Sequence, residues 1–385
     1  MMNLKYDIPV ILKGVPDDSH NFKPLPTPTG EYPYRLNIEE VIGKEVEAVR
    51  SRMIFQMVGD TGSARHSDFQ ALVASSLTQQ LGANVPRKNN PSFLYHLGDI
   101  VYNHGEACEY PAQFLTPYGE YNAPIFAIAG NHDADINPDS TTSYQSLDAF
   151  MNVFCDQVRR PIGFGKDSRR LSMIQPHVYW TLETPLARFI GLYANVNRYG
   201  IISDEQREWF IEELRYAKEQ REEQAIIVCI HHAPYSADTN HGSSLTTIDF
   251  LENAFTAAGV RPDMVCSGHV HNYQRFSKSY KDGAKVPYIV AGAGGYADLH
   301  TLANTYDKQI EALPLLDHGV RLDAYCDNCY GFLKIEIEKV FDGLNIIGEY
   351  YTLPEYFSVS ADMEAQLYDR FTIPLKRSAF STELS

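Results

Sequence analysis

SFLYHLGDIVY, residues 92–102, runs apolar for the length of a strand, stops at Gly98-Asp99, and reaches a tyrosine, Tyr102, three residues later. Gly-Asp alone is an ordinary turn dipeptide. The same cadence occurs in four other places: MIFQMVGD (53–60), PIFAIAGNHD (124–133), AIIVCIHHAP (225–234) and MVCSGHVH (264–271). Short apolar runs of this kind suit strands buried on both faces. Helical stretches lie among them. SDEQREWFIEELRYAKEQREE (203–223) opens with a Ser203/Gln206 capping box and places apolar residues at 209, 210, 214 and 217. STTSYQSLDAFMNVF (140–154) and TIDFLENAFTAAG (247–259), the latter closed by Gly259, predict two more helices. Strands alternating with helices predict an α/β fold.

After residue 286 the pattern changes. VPYIVAGAGG (286–295) and YGFLKIEIEKVFDGLNIIGEYYTL (330–353) read as strands with a hairpin and little helix. A sandwich of two mixed β-sheets flanked by helices fits this better than one parallel sheet. The chain divides into an arm over 1–50, rich in turn formers (FKPLPTPTGEYPYR), one domain over 51–355, and a tail over 356–385. The arm is too short for a separate β-sandwich, which needs about 100 residues.

Composition narrows the partners. In 385 residues, 33 Lys and Arg against 49 Asp and Glu leave a formal charge of −16. Such a surface argues against nucleic acid or an anionic membrane as the main partner. No window approaches the roughly 18–20 apolar residues of a membrane span. MMNLKYDIPVILKGVPDDSH (1–20) lacks a signal-peptide apolar core, so a cytoplasmic location is the default, and a secreted or periplasmic one follows if a leader has been removed. Six cysteines form no dense disulfide framework; Cys229 and Cys266 sit in apolar runs as small core residues, and Cys326-Asp-Asn-Cys329 is a single CxxC, open to redox or metal chemistry.

In open α/β sheets, ligands collect beyond the carboxyl ends of the strands. There the five runs deliver Asp60, then Asp99 with Tyr102, Asn131 with His132, His231 with His232, and His269 with His271. One such ending means little; five in order, oxygen donors first and imidazoles last, point to a metal centre. An extended GHVH segment would aim His269 and His271 the same way.

The set GDTG, GDIVY, GNHD, VCIH and GHVH resembles the five-block signature of calcineurin-like metallophosphoesterases, and within them the purple acid phosphatase branch. The blocks span 59–271. The resemblance implies that Asp60, Asp99, Tyr102 and His271 hold one metal and Asp99, Asn131, His231 and His269 the other, with Asp99 bridging. Phosphodiesterases of the superfamily place a histidine two residues after the first aspartate; here that position is Gly62, and Tyr102 stands where the purple branch supplies its replacement. A phenol with a pKa near 10 binds as phenolate only to a strongly acidic ion, so Fe(III) is implied at the first site and a divalent Zn, Fe or Mn at the second. His132 would contact the phosphate. His241, in TNHGSS, would protonate the leaving group, against the alternative of a plain exposed histidine. His232 is read as a neighbour that orients a ligand, and His66, His96, His177, His300 and His318 as surface or structural residues.

The function implied is metal-dependent hydrolysis of a small phosphate monoester. Residues 134–175 and 296–329 are long enough to wall the substrate pocket. Three alternatives remain open at this level: a phosphodiesterase acting on a cyclic nucleotide or phospholipid headgroup, a non-catalytic binding protein on the same scaffold, and redox chemistry at iron.

Overall fold

Each apolar run folds as a strand. The computed structural model describes residues 22–65, 67–82, 89–165, 168–194, 200–303, 319–353 and 364–376. Its strands are β1 (Arg35–Asn37), β2 (Arg52–Val58), β3 (Leu94–His96), β4 (Ile125–Ala127), β5 (Trp180–Glu183), β6 (Ala187–Leu192), β7 (Ala225–Ile230), β8 (Met264–Ser267), β9 (Tyr273–Ser279), β10 (Lys285–Ala291), β11 (Val320–Cys326), β12 (Gly331–Val340), β13 (Gly343–Thr352) and β14 (Gln366–Lys376). They form an eight-stranded sheet, β1-β5-β6-β7-β8-β10-β9-β11, and a six-stranded sheet, β14-β13-β12-β2-β3-β4. Both are mixed. The parallel pairs β2–β3 and β3–β4 lie in the smaller sheet, and β6–β7, β7–β8 and β8–β10 in the larger.

The helices are α1 (Glu39–Ile42), α2 (Ser67–Gln79), α3 (Asn131–Ala134), α4 (Asp148–Phe154), α5 (Asp204–Glu219) and α6 (Leu245–Ala258). The Ser203 hydroxyl accepts the Gln206 amide and starts α5, while Gly259, at φ 64°, closes α6.

Aromatic residues fill the space between the sheets. Phe55 on β2 meets Phe189 on β6 edge-on at 4.9 Å, and Tyr95 on β3 stacks on Phe189 at 5.5 Å and on Trp180 of β5 at 6.2 Å. Burying each such ring is worth about 1.5–3 kcal/mol, and each pair geometry about 0.5–1.5 kcal/mol more. Cys229 and Cys266 are buried in this core.

Both chain ends contribute strands. β1 pairs in parallel with β5, and Arg35 on it makes 2.6–3.1 Å contacts from Nη2 and Nε to Glu213, a carboxylate buried on α5. β14 pairs with β13 along its length, so the smaller sheet extends past the boundary drawn at residue 355. Its side chains are mostly exposed or half-buried, which leaves little apolar signal in its own sequence. Among the described residues no helix is long and apolar enough to cross a membrane.

Candidate metal centre

The carboxyl ends of the two parallel strand sets meet at one seam, and the predicted donors occupy it. Asp60 follows β2, Asp99 and Tyr102 follow β3, and Asn131 follows β4; His231 follows β7, and His269 and His271 follow β8. The smaller sheet thus supplies every oxygen donor and the larger sheet the imidazoles. All seven side chains are buried.

Tyr102 lies at the centre of the first group. Its phenol oxygen is 2.9 Å from Asp99 Oδ2, 3.2 Å from Asp60 Oδ1 and 3.2 Å from His271 Nε2. In the second group, Asn131 Oδ1 is 3.1 Å from His231 Nε2 and 3.0 Å from His269 Nδ1. Asp99 Oδ2 belongs to both, standing 3.2 Å from His231 Nε2 as well. Asp99, His231 and His269 each offer one ligand atom, and these atoms lie within 4.8 Å of one another.

The backbone is bent to aim these groups. Asp60, Asp99 and His269 adopt φ of 58°, 53° and 67°, in the left-handed region that non-glycine residues avoid. Each such residue costs about 1–3 kcal/mol and persists only where its surroundings enforce it. Here the Asp60 amide donates to the Gly98 carbonyl at 2.9 Å, and the His269 amide donates to the Asp60 carboxylate at 2.9 and 3.0 Å. The GHVH segment is therefore not extended, contrary to the sequence expectation. Tight turns, Val270 N–H to Gly268 O and Asn272 N–H to Val270 O, fold it so that both rings still reach the centre.

Tautomers follow from the outer hydrogen bonds. His231 Nδ1 meets the Leu97 carbonyl at 2.8 Å and His271 Nδ1 the Asp298 carbonyl at 2.9 Å. A carbonyl only accepts, so each Nδ1 carries a proton and each Nε2 is the nitrogen that faces inward.

Electrostatics test whether cations fit. Burial pushes the Tyr102 phenol well above its ordinary value, and the Asp99 and Asp60 carboxylates push it further. Burial also drives Asp60 well up, and the Asp99 charge adds to this. Asp99 resists its own burial because His231 and then His132 hold it low. Burial pulls His231 down, but Asp99 outweighs it and raises His231 to about 9, a proton that a metal ion would displace. Burial, aided by His241 and His300 respectively, keeps His269 and His271 well below the usual range and neutral, as ligation requires. Two carboxylates and a phenol converge in a buried site with, among the described residues, no lysine or arginine in hydrogen-bond contact with them, an arrangement that metal cations relieve.

His132 and His241 are half-buried at this centre. The His132 amide donates to Asp99 Oδ1 at 2.9 Å, its Nδ1 meets the Asn103 carbonyl at 2.7 Å, and its ring lies 4.3 Å from that of Tyr102. His241 lies with its ring 4.1 Å from that of His269 and 6.5 Å from that of His271. Buried His232 packs on His269 at 4.4 Å.

His96, His177 and His300 are all buried, which removes the surface option for them. His96 is an internal bracket, with Nε2 2.9 Å from Thr61 Oγ1 and Nδ1 accepting the Gly98 amide at 3.2 Å. His300 borders the centre, stacked on His271 at 4.2 Å. His66, His318 and part of the predicted wall over 296–329 lie outside the described residues. Two further acids escaped the sequence reading. Asp133 ties site loops together, and buried Asp238 accepts the amides of Asn240, His241 and Gly242 at 3.0, 3.0 and 2.9 Å, fixing the turn that presents His241. The D-x-N-H-G spacing is a turn signal that could have found the latter.

The profile of the family described as calcineurin-like phosphoesterase matches residues 55–273, more than half of the chain. Over 133 residues, 30% of the chain, the sequence is 31% identical to the probable purple acid phosphatase 20 of Arabidopsis thaliana, of whose length the match spans 30%. Over 272 residues, 66% of this chain and 77% of the relative, it is 23% identical to tartrate-resistant acid phosphatase type 5 of Oryctolagus cuniculus. The fold is shared with GAP50, the anchor in the inner membrane complex of Plasmodium, at a TM-score of 0.55 and 14% identity, over 85% of this chain and 90% of that one.

Proposed function

The chain belongs to the calcineurin-like phosphoesterase family, whose members are metal-dependent, and on that premise we propose that it hydrolyses small phosphate monoesters at a mixed-valent two-metal centre. Asp60, Asp99, Tyr102 and His271 hold Fe(III), and Asp99, Asn131, His231 and His269 hold a divalent ion such as Zn, Fe or Mn.

One observation carries this reading. A Cβ at Gly62 would stand 2.6 Å from the Ile100 carbonyl oxygen and 2.7 Å from both Gln113 Oε1 and Val101 Cα, so no histidine fits where the diesterase motif needs one. Tyr102 Oη instead sits among Asp60, Asp99 and His271. Two carboxylates and a phenolate match a trivalent ion, whereas Asn131 with two imidazoles suits a divalent one.

When bound, the two ions supply charge neutralisation for the phosphoryl oxygens and a nucleophile below neutral pH. The protein's own residues do the rest. His132, whose Nδ1 donates to the Asn103 carbonyl, would donate from Nε2–H of its cationic form to the phosphoryl group and orient it. His241, held by the Asp238 turn, delivers a proton to the leaving oxygen. Asp99 keeps both donor groups in register. A locally cationic centre admits an anionic ester to a chain of formal charge −16.

The test is the visible absorption spectrum of the protein as isolated, paired with assays on p-nitrophenyl phosphate and bis-(p-nitrophenyl) phosphate. The expected result is a broad charge-transfer band that Tyr102→Phe abolishes, together with preference for the monoester. A colourless protein that prefers the diester moves the function to phosphodiester hydrolysis.

A further inference from the structure

The chain crosses between its two sheets at Cys326-Asp-Asn-Cys329. β11 ends in the eight-stranded sheet at Cys326, and β12 begins in the six-stranded sheet at Gly331. Cys326 is buried and Cys329 half-buried. Both thiols reach one acceptor, Asn328 Oδ1, at 3.6 and 3.5 Å. Burial, then the neighbouring Cys329 thiol, pushes the Cys326 thiol up to about 12. One sulfur is thus covered and the other accessible, side by side.

A metal site at this pair fits poorly. Structural zinc takes four protein donors, and among the described residues no third His, Cys, Asp or Glu donor joins these two.

The residues between and beside the cysteines grip the metal centre's outer loop. Asp327 Oδ2 accepts the Leu302 amide at 2.9 Å, and the Tyr330 hydroxyl donates to the Ala297 carbonyl at 2.9 Å. The segment between those anchor points carries the Asp298 carbonyl that takes the His271 Nδ1 proton, and the His300 ring that stacks on His271.

We propose that Cys326 and Cys329 form a reversible disulfide by exchange with low-molecular-weight disulfides, and that closing this ring alters the grip on residues 297–302. In the first step the Cys329 thiolate attacks a sulfur of the small disulfide, whose S–S bond breaks and releases one thiolate. In the second, the Cys326 thiolate attacks the Cys329 sulfur and releases the other. Two protein thiols are oxidised, one small disulfide is reduced to two thiols, and the two protons lost by the cysteines go to those leaving groups. The new bond pulls Cys326 and Cys329 together and turns Asp327 between them, so the Leu302 amide loses or lengthens its hydrogen bond.

The whole protein is equilibrated in glutathione buffers from reducing to oxidising, quenched in acid, alkylated, and read by peptide mass. The expected result is that Cys326 and Cys329 lose alkylation together, the peptide then weighing two hydrogens less than its unalkylated dithiol form, while Cys155, Cys229 and Cys266 stay unaltered. Cys326→Ser should trap a glutathione adduct on Cys329 that Cys329→Ser does not form. Amide hydrogen exchange at 297–303 should be several-fold faster in the oxidised protein, and reduced wild type and Cys329→Ser should agree. Free thiols at both positions in excess glutathione disulfide overturn the disulfide; identical exchange in the two states overturns its coupling to the loop.

Discussion

Asp133 Oδ1 accepts the Ile100 amide at 2.9 Å, tying the loop after β4 to the loop after β3. The same oxygen takes the Val101 amide at 3.3 Å, and Oδ2 takes the Gly130 amide at 2.8 Å. Asp99 sits on one of these loops and Asn131 on the other. The spacing of the Asp99 carboxylate from the Asn131 amide therefore rests on a third side chain, Asp133.

Asp133→Ala would leave three buried amides without acceptors, each worth about 1–3 kcal/mol. The expected loss is about 3–5 kcal/mol of stability, read from urea unfolding midpoints at constant slope. Asp133→Asn keeps one acceptor oxygen and should fall between wild type and Ala. An alanine variant within about 0.5 kcal/mol of wild type, the range of an ordinary surface change, would show that the bracket is dispensable.

Gly62 is closed to every side chain by the Ile100 carbonyl, Gln113 and Val101. Overpacking at such a point costs about 1–3 kcal/mol, so Gly62→Ala should unfold at lower urea by that amount. Gly62→His should be worse, and should not gain diesterase activity, because the ring has no path to the Asp60–Asp99 cluster. A stable Gly62→His protein with raised diester turnover would refute this account of why tyrosine occupies the centre.

His177 supplies part of the acid sensitivity. It is buried between Tyr34 at 4.8 Å and Tyr179 at 4.3 Å, and its Nδ1 has no hydrogen-bond partner among the described residues. Burial lowers its pKa to about 4. The unfolded chain, with an imidazole pKa of about 6.5, therefore binds a proton that the folded one refuses between about pH 4 and 6.5. The contribution is complete above about pH 6.5 and is lost as pH falls through that window, to a total of about 3 kcal/mol. His177→Phe should reduce the difference in unfolding free energy between about pH 7.5 and pH 4.5 by about 2–3 kcal/mol. An unchanged difference would place the acid sensitivity elsewhere.

The order of donors along the sequence reflects the order of the sheets. β2, β3 and β4 come early and carry Asp60, Asp99 and Asn131; β7 and β8 come late and carry His231, His269 and His271. These positions were legible because a parallel strand buried on both faces is a continuous apolar run, and a run that stops dead at a polar residue marks where the loop begins. β14 was not legible, because it is an edge strand whose pairing is dictated by β13 rather than by any period of its own. Asp133 stands in plain view in GNHD, yet its role depends on amides from two loops that only the fold brings together. The turned backbone at His269 was hidden for the same reason: its left-handed conformation is imposed by the Asp60 carboxylate.

His300 lies on a loop beyond the AGAGG stretch, with no block or period to mark it, and the chain path alone puts its ring on His271. The rings are 4.2 Å apart and 22° from parallel, His300 Nδ1 accepts the His271 amide at 3.3 Å, and Asp238 Oδ2 stands 3.6 Å from that nitrogen. Tyr296 also packs on His271, at 4.6 Å. The two rings fix the His271 side chain, leaving Nε2 aimed at Tyr102. Removing a residue that orients a metal ligand typically costs about 10–100-fold in metal affinity, and His300→Ala should fall in that range in equilibrium dialysis against iron. His300→Phe keeps the stacking surface and loses only the two ring nitrogens, so its loss should be smaller. The charge-transfer band proposed for Tyr102 on iron would report the same site independently and should weaken in parallel. If His300→Ala binds iron as wild type does, orientation of His271 rests on the Asp298 carbonyl alone, and the stacked ring is packing.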